Sequence, residues 1–368
     1  VSLSGAAFAQ NSVTLSGIIK GGLASTKYSN SATATDNGSG LGLSDGSSRF
    51  IISGTEDLGG GMAGHFQVDT RFRVDDNGGA PTSSPLAGGN TWVGVRGAFG
   101  DVRLGKLDTH YCLGADSHGT RATALQASSC ALIGYINASS GVGSVAVGSR
   151  SANSVRYTTP SISGFTAEVS YSTSPTSPEG TVSNPGKGSA MGLTARYGKG
   201  PLSLGGSIYS SETEDRSQTV ARTDQSSTEI WGSYNLGIVA IGLTYNDSAN
   251  DNAAANSTAF AKTKRNAWSI PVTAPVGKGT VLFTYTRAND TETGGTNDNN
   301  SGANLMSIGY DYDLGKRTKL GFSYARLDNK SAGLYRLYTQ AALAGTNPGA
   351  AAAGLDQSQV YIGLRHTF

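Results

Sequence analysis

Along most of the chain, apolar and polar residues alternate with a period of two, the spacing of strands that are apolar on one face only. In AGHFQVDTRFRV (63–74), Phe66, Val68, Phe72 and Val74 share one face, and His65, Gln67, Asp69, Arg71 and Arg73 share the other. IVAIGLTY sets Val239, Ile241, Leu243 and Tyr245 against Ala240, Gly242 and Thr244. LMSIGYDY sets Met306, Ile308, Tyr310 and Tyr312 against Ser307, Gly309 and Asp311, and Leu320, Phe322 and Tyr324 repeat the scheme. Helical periodicity is nearly absent.

A soluble sandwich also alternates, so the connections decide. Every second joint is short and rich in turn formers: Asp57–Gly61, Ala98–Asp101, Pro160–Gly164, Gly198–Pro201, Leu236-Gly237, Ala274–Gly277 and Asp313–Lys316. The others are long and polar: 27–46, 75–90, 107–149, 174–188, 212–226, 248–263, 289–302 and 329–356. The strands predicted between them are 12–26, 47–56, 62–74, 90–97, 101–106, 150–159, 164–173, 189–198, 201–211, 226–235, 238–247, 264–273, 278–288, 303–312, 317–328 and 357–368. Short turns on one rim and long loops on the other are the pattern of a transmembrane β-barrel. An even number of strands lets the last pair with the first, which removes the edges that lipid does not tolerate. Sixteen strands enclose more space than side chains fill, so an aqueous channel follows. The apolar face then looks to lipid and the polar face to water.

Composition fits this inversion. Charged residues make up 15% of the 368 and hydrophobic residues only 37%, while glycine reaches 52. So little apolar sequence cannot build a thick core, and no run approaches the roughly 20 apolar residues of a membrane helix. A net charge of +2 gives no reason to expect nucleic acid as a partner. The first residues, VSLSGAAFAQ, read as the tail of a secretory signal peptide with small residues at Ala7 and Ala9. On that reading 1–9 are a remnant and 10–368 form the barrel. In an exported protein Cys112 and Cys130 are candidates for a disulfide within the 107–149 loop.

The last strand, Val360 to Phe368, resembles the terminal strand of Gram-negative porins, with an aromatic last residue after Val360, Ile362 and Leu364; His366 departs from the pattern. Tyr361, Leu364 and Phe368 are the candidate barrel-assembly signal. Gly54–Gly61 and Gly97–Lys106 resemble the family's first two periplasmic turns, and Arg150–Pro160 resembles the strand after its constriction loop. Together these are similar to the general porins of β-proteobacteria, the neisserial, Comamonas and Bordetella types, from residue 12 to 368. The resemblance implies a homotrimer in the outer membrane of a Gram-negative bacterium, in contact with lipid and lipopolysaccharide. It also implies a third loop (107–149) folded into each pore and passive diffusion of small hydrophilic solutes. No cofactor is implied.

Strand parity places Lys20, Arg49, Arg71, Arg73, Arg96, Arg103, Arg150 and Arg156 on the inner face of the first six strands, against Asp69 and Asp101. Guanidinium groups stay charged at any working pH, and a basic stripe between low-dielectric walls raises the local anion concentration. Anion preference is the expectation; the alternative is that some of these arginines sit at the rims or are paired off by acids. Asp108, Asp116 and Arg121 lie on the loop, with its acids expected to face the wall arginines across the pore. Arg49 and Arg150 match lumenal arginines of anion-selective relatives. Where those relatives carry a basic residue, this chain reads Gly88-Gly89-Asn90-Thr91, which predicts a wider or less basic eyelet.

Other motifs carry less. Gly42-Leu43-Ser44-Asp45-Gly46 matches a nucleophile elbow without its strand-to-helix context. Gly59, Gly61 and Gly64 match a dinucleotide fingerprint with no following helix. His110, Cys112, His118 and Cys130 fit no familiar zinc spacing, so no metal site is assigned, although Asp residues at the outer rim are compatible with a calcium ion. An enzyme is not expected. The competing class is an exported β-rich adhesin or binding protein without a conducting pore.

Overall fold

The computed structural model describes residues 12–30, 38–45, 48–72, 74, 86–110, 112–114, 128–138, 143–146, 148, 150–174, 188–212, 222–253, 260–337 and 353–368. Sixteen strands form the barrel wall: Ser12–Ser29, Ser48–Gly59, Met62–Phe72, Thr91–Gly97, Gly100–Asp108, Arg150–Thr158, Phe165–Ser172, Ser189–Lys199, Leu202–Glu212, Arg222–Asn235, Ala240–Ala253, Phe260–Val276, Gly279–Ala288, Ala303–Asp313, Thr318–Asn329 and Asp356–Thr367. They are numbered below in that order. Each pairs antiparallel with the next. The sixteenth pairs with the first, from Ile18↔Thr367 to Ser29↔Asp356, and the ring closes. Sequence alternation located every one of these strands.

Closure is tightest at the chain's end. Phe368 exchanges both backbone hydrogen bonds with Gly17, at 3.1 and 3.2 Å. A Cβ on Gly17 would lie 2.5 Å from the Phe368 ring, so glycine makes room for the terminal aromatic. Short turns form where expected. Asp57 and Asn235 each accept a backbone N–H two residues on, at 2.8 Å, and the turn glycines Gly59 and Gly237 take the left-handed φ of 80° and 88°.

Burial is inverted relative to a soluble protein. Leu193 and Leu243 are 45% and 55% exposed, whereas their neighbours Thr194 and Thr244 are 2% and 1% exposed. The exposed apolar row continues around the wall through Val169, Ile230, Ile308, Phe322 and Val360. A belt of that extent is stable only against acyl chains.

The structure exceeds the sequence reading at the long-loop rim. The eleventh and twelfth strands run to Ala253 and start at Phe260, cutting into the expected 248–263 loop. A further strand, Gly38–Asp45, pairs with Gly21–Tyr28 of the first. The added residues 248–253 are Ser-, Asn- and Asp-rich, so hydrophobic alternation does not reveal them, and Gly38–Asp45, with Leu41 and Leu43 exposed on one face, lies in a Gly- and Ser-rich stretch. A one-turn helix, Cys130–Ile133, and a hairpin of Tyr135–Ala138 with Gly143–Ala146 lie within the third long loop. The helix anchors a buried apolar cluster with Ala267, Leu305 and Leu327 of the wall and with Tyr335 and Leu337 of the last loop.

Candidate functional site

The basic residues of the inner wall fall into two groups. In the first, Arg49 and Arg71 are direct partners across the second and third strands. Like charges so placed repel, and Asp69 offsets them: its Oδ2 lies 3.5 Å from both Arg49 Nη1 and Arg71 Nη2. Asp69 is buried and also accepts the Asn90 N–H at 3.3 Å. Gly89 lets the segment before the fourth strand press onto this carboxylate, since a Cβ there would come within 2.1 Å of it.

Arg150 completes the group. Its Nε donates to Asp108 Oδ1 at 2.8 Å and its Nη1 to the Gly88 carbonyl at 3.0 Å. Lys106 Nζ donates to the same carbonyl at 3.3 Å. Simple alternation puts Lys106 on the lipid side with Leu104. A register shift between Gly105 and Leu107, where Gly105 takes a φ of 147°, breaks that alternation and brings the amine inside. A glycine within a strand pattern is the one sequence signal for this. Within the uncharged Gly88–Thr91 stretch, the Gly88 carbonyl gathers Lys106 and Arg150.

Asp108 corrects a second expectation. It does not face the arginines across the bore. The fifth strand extends to Asp108, which pairs in register with Arg150 on the same wall and is held by Asn90 through bonds of 2.6 and 2.8 Å.

The second group lies toward the short-turn rim. Arg103 donates Nε and Nη2 to Asp101 at 3.0 and 2.7 Å, with its guanidinium 4.1 Å from the centre of the Trp92 ring. His65 Nε2 contacts the other oxygen of Asp101 at 3.0 Å. Arg156 Nη1 donates to the Asp108 carbonyl at 3.3 Å, and Arg196 pairs with Glu168 at 3.1 Å. Arg96 is exposed at the strand end, opposite Asp101 in register, and Lys20 is buried in the inner wall. Arg73, Asp116, Arg121 and His118 lie outside the described residues.

The third long loop leaves the fifth strand and crosses the interior to the far wall. His110 Nδ1 and Nε2 lie 2.9 and 2.7 Å from the Oγ atoms of Ser207 and Ser227, on the ninth and tenth strands, and the ring stacks on Tyr209. Burial pulls its pKa down to about 4. The Gly114 N–H donates to Glu229 Oε1. Cys112 and Cys130 are disulfide-bonded, and both are buried. Arg265 of the twelfth strand holds the helix end through the carbonyls of Leu132 and Ile133. Sequence parity took in neither Lys106 nor Arg265.

Tyr361 faces inward into the apolar cluster, whereas Leu364 looks out and Phe368 closes the seam. The three residues of the candidate assembly signal thus do different jobs.

Comparison with known proteins agrees with this geometry. The family profile described as Gram-negative porin matches residues 1–332. The chain is 30% identical to outer membrane porin protein 32 of Delftia acidovorans, over 99% of this chain and 96% of that one. Among solved structures it is similar to an anion-selective porin from Comamonas acidovorans, with a TM-score of 0.73, 27% identity, and coverage of 98% of this chain and 100% of that one. The trimer form of OmpT from Vibrio cholerae shares the fold, with a TM-score of 0.63, 18% identity, and coverage of 97% and 99%. A closed barrel turned inside out, a loop laid across its bore and a family match over most of the sequence agree, and the chain belongs to the Gram-negative porins.

Proposed function

We propose that this outer-membrane diffusion channel prefers anions and that the third loop, 107–149, is its constriction. The observation that carries the reading is the placement of the loop. Its described anchors lie on the ninth to twelfth strands, and on this reading the passage runs along the opposite wall, where four cations (Arg49, Arg71, Lys106 and Arg150) lie with two carboxylates (Asp69 and Asp108). In a narrow aqueous passage with low-dielectric walls, such an excess of fixed positive charge concentrates anions. The similar Comamonas porin is anion-selective, which supports the same sign here.

Assembly as a homotrimer is part of the reading, supported by a trimeric relative of the same fold. The outward apolar belt would meet lipid, with lipopolysaccharide in the outer leaflet, and the permeant solutes would be small, hydrophilic and mainly anionic. Single-channel recording with salts of differing ion size tests the proposal. Conductance should follow anion size and respond weakly to cation size, in steps of three. Conductance that follows the cation would overturn it.

A further inference from the structure

The wall opposite the basic passage carries a guanidinium that the selectivity argument does not use. Arg265 is 2% exposed. It donates Nη1 to the Leu132 carbonyl and Nη2 to the Ile133 carbonyl at 3.1 Å and to Asn246 Oδ1 at 2.8 Å. Its hydrogen-bond partners among the described residues are thus carbonyls and one carboxamide. The two carbonyls close a one-turn helix that has no basic residue in its own last turn. Helix-terminal carbonyls lack partners within the helix and carry partial negative charge, and Arg265 supplies both the donors and the opposite sign. The helix residues Ala131, Leu132 and Ile133 belong to one buried apolar cluster with Ala267 and Leu305 of the wall, and the carboxylates of Glu229 and Asp247 act on the guanidinium electrostatically.

We propose that Arg265 is the positioning residue of the constriction. By clamping the end of the helix against the twelfth strand, it holds the loop away from the basic wall and so sets the largest solute that passes. Asn246 orients the guanidinium from the neighbouring strand. The planar fork reaches two adjacent carbonyls at once, which a lysine amine does not reproduce. An arginine keeps its charge across the working pH range, so this anchor does not share the titration of His110. The inference rests on reading 107–149 as the constriction.

The test uses the whole protein. Arg265→Met, Arg265→Lys and Asn246→Ala are reconstituted after heat-modifiable migration on gels shows a folded barrel. Open-channel noise, and liposome swelling in organic anions of increasing size, are then measured. Arg265→Met should be several-fold noisier and admit anions that the parent excludes, with the sign of the reversal potential unchanged because the basic wall is intact. Arg265→Lys should fall between the two, since an ammonium still reaches one carbonyl. Should Arg265→Met fail to assemble, Asn246→Ala decides, with the same change at smaller amplitude. A folded Arg265→Met, or Asn246→Ala in its place, with the parent's noise and size limit overturns the assignment. A parent protein that conducts cations, or does not conduct, contradicts the channel reading instead.

Discussion

At the scale of single residues, what matters is how each cation is engaged. Arg103 is tied twice to Asp101 and lies over Trp92, so the Arg103–Asp101 pair adds no net charge to the bore. Arg49 and Arg71 share one buried carboxylate, which leaves one of their two charges uncompensated. Arg49→Gln and Arg150→Gln should each lower the anion-to-cation permeability ratio several-fold, and Arg103→Gln should change it little; reversal potentials of the three variants side by side check the ranking. His110 gives a pH dependence of definite sign. Docked, it stays neutral down to about 4, whereas an undocked imidazole takes a proton near 6.5. As pH falls between those values the undocked loop gains a proton that the docked loop does not, so docking weakens progressively, and the change ends below about 4. Current noise should therefore rise between pH 6.5 and 4.5, and His110→Gln should flatten that part of the profile. Identical profiles in the two proteins would remove His110 as the cause.

At the scale of elements, the third loop is held on one wall by His110, by Gly114 on Glu229 and by the Arg265 clamp, while the disulfide ties the loop to itself. The disulfide joins positions 18 apart, and closing a loop of that size restricts the open chain by about 3 kcal/mol on the chain-entropy account. Cys112→Ser with Cys130→Ser should leave a folded barrel whose loop undocks more often, seen as added closures in single-channel traces; a trace identical to the parent's would mean the other anchors suffice. This is also the scale at which sequence reading reached its limit. Alternation located the strands because each crosses lipid with one apolar face, as Leu193 against Thr194 shows. It could not see Lys106 enter the bore, because a bulge at Gly105 reverses the alternation. It left Asp108 on a loop because the same bulge breaks the pattern just before Leu107 and Asp108. What alternation could not show is the role of Arg265, because its partners are main-chain carbonyls more than a hundred residues away.

At the scale of the whole molecule, one inversion organises everything else. Apolar side chains face acyl chains, polar ones face the bore, and the apolar cluster is confined to where two loops fold inward. Leu243→Arg on the lipid face should destabilise the barrel by about 2–4 kcal/mol near the bilayer midplane, whereas Ser323→Arg on the inner face, where the side chain is only partly buried, should spare insertion and alter conductance. Unfolding of both variants in detergent or lipid tests the difference; equal losses would contradict the assigned orientation. The central claim is that the passage left between loop and wall is positively charged, and the reversal potential of the reconstituted channel under a KCl gradient measures this most directly. The account predicts the sign set by chloride moving more freely than potassium; a potential of the opposite sign would contradict it.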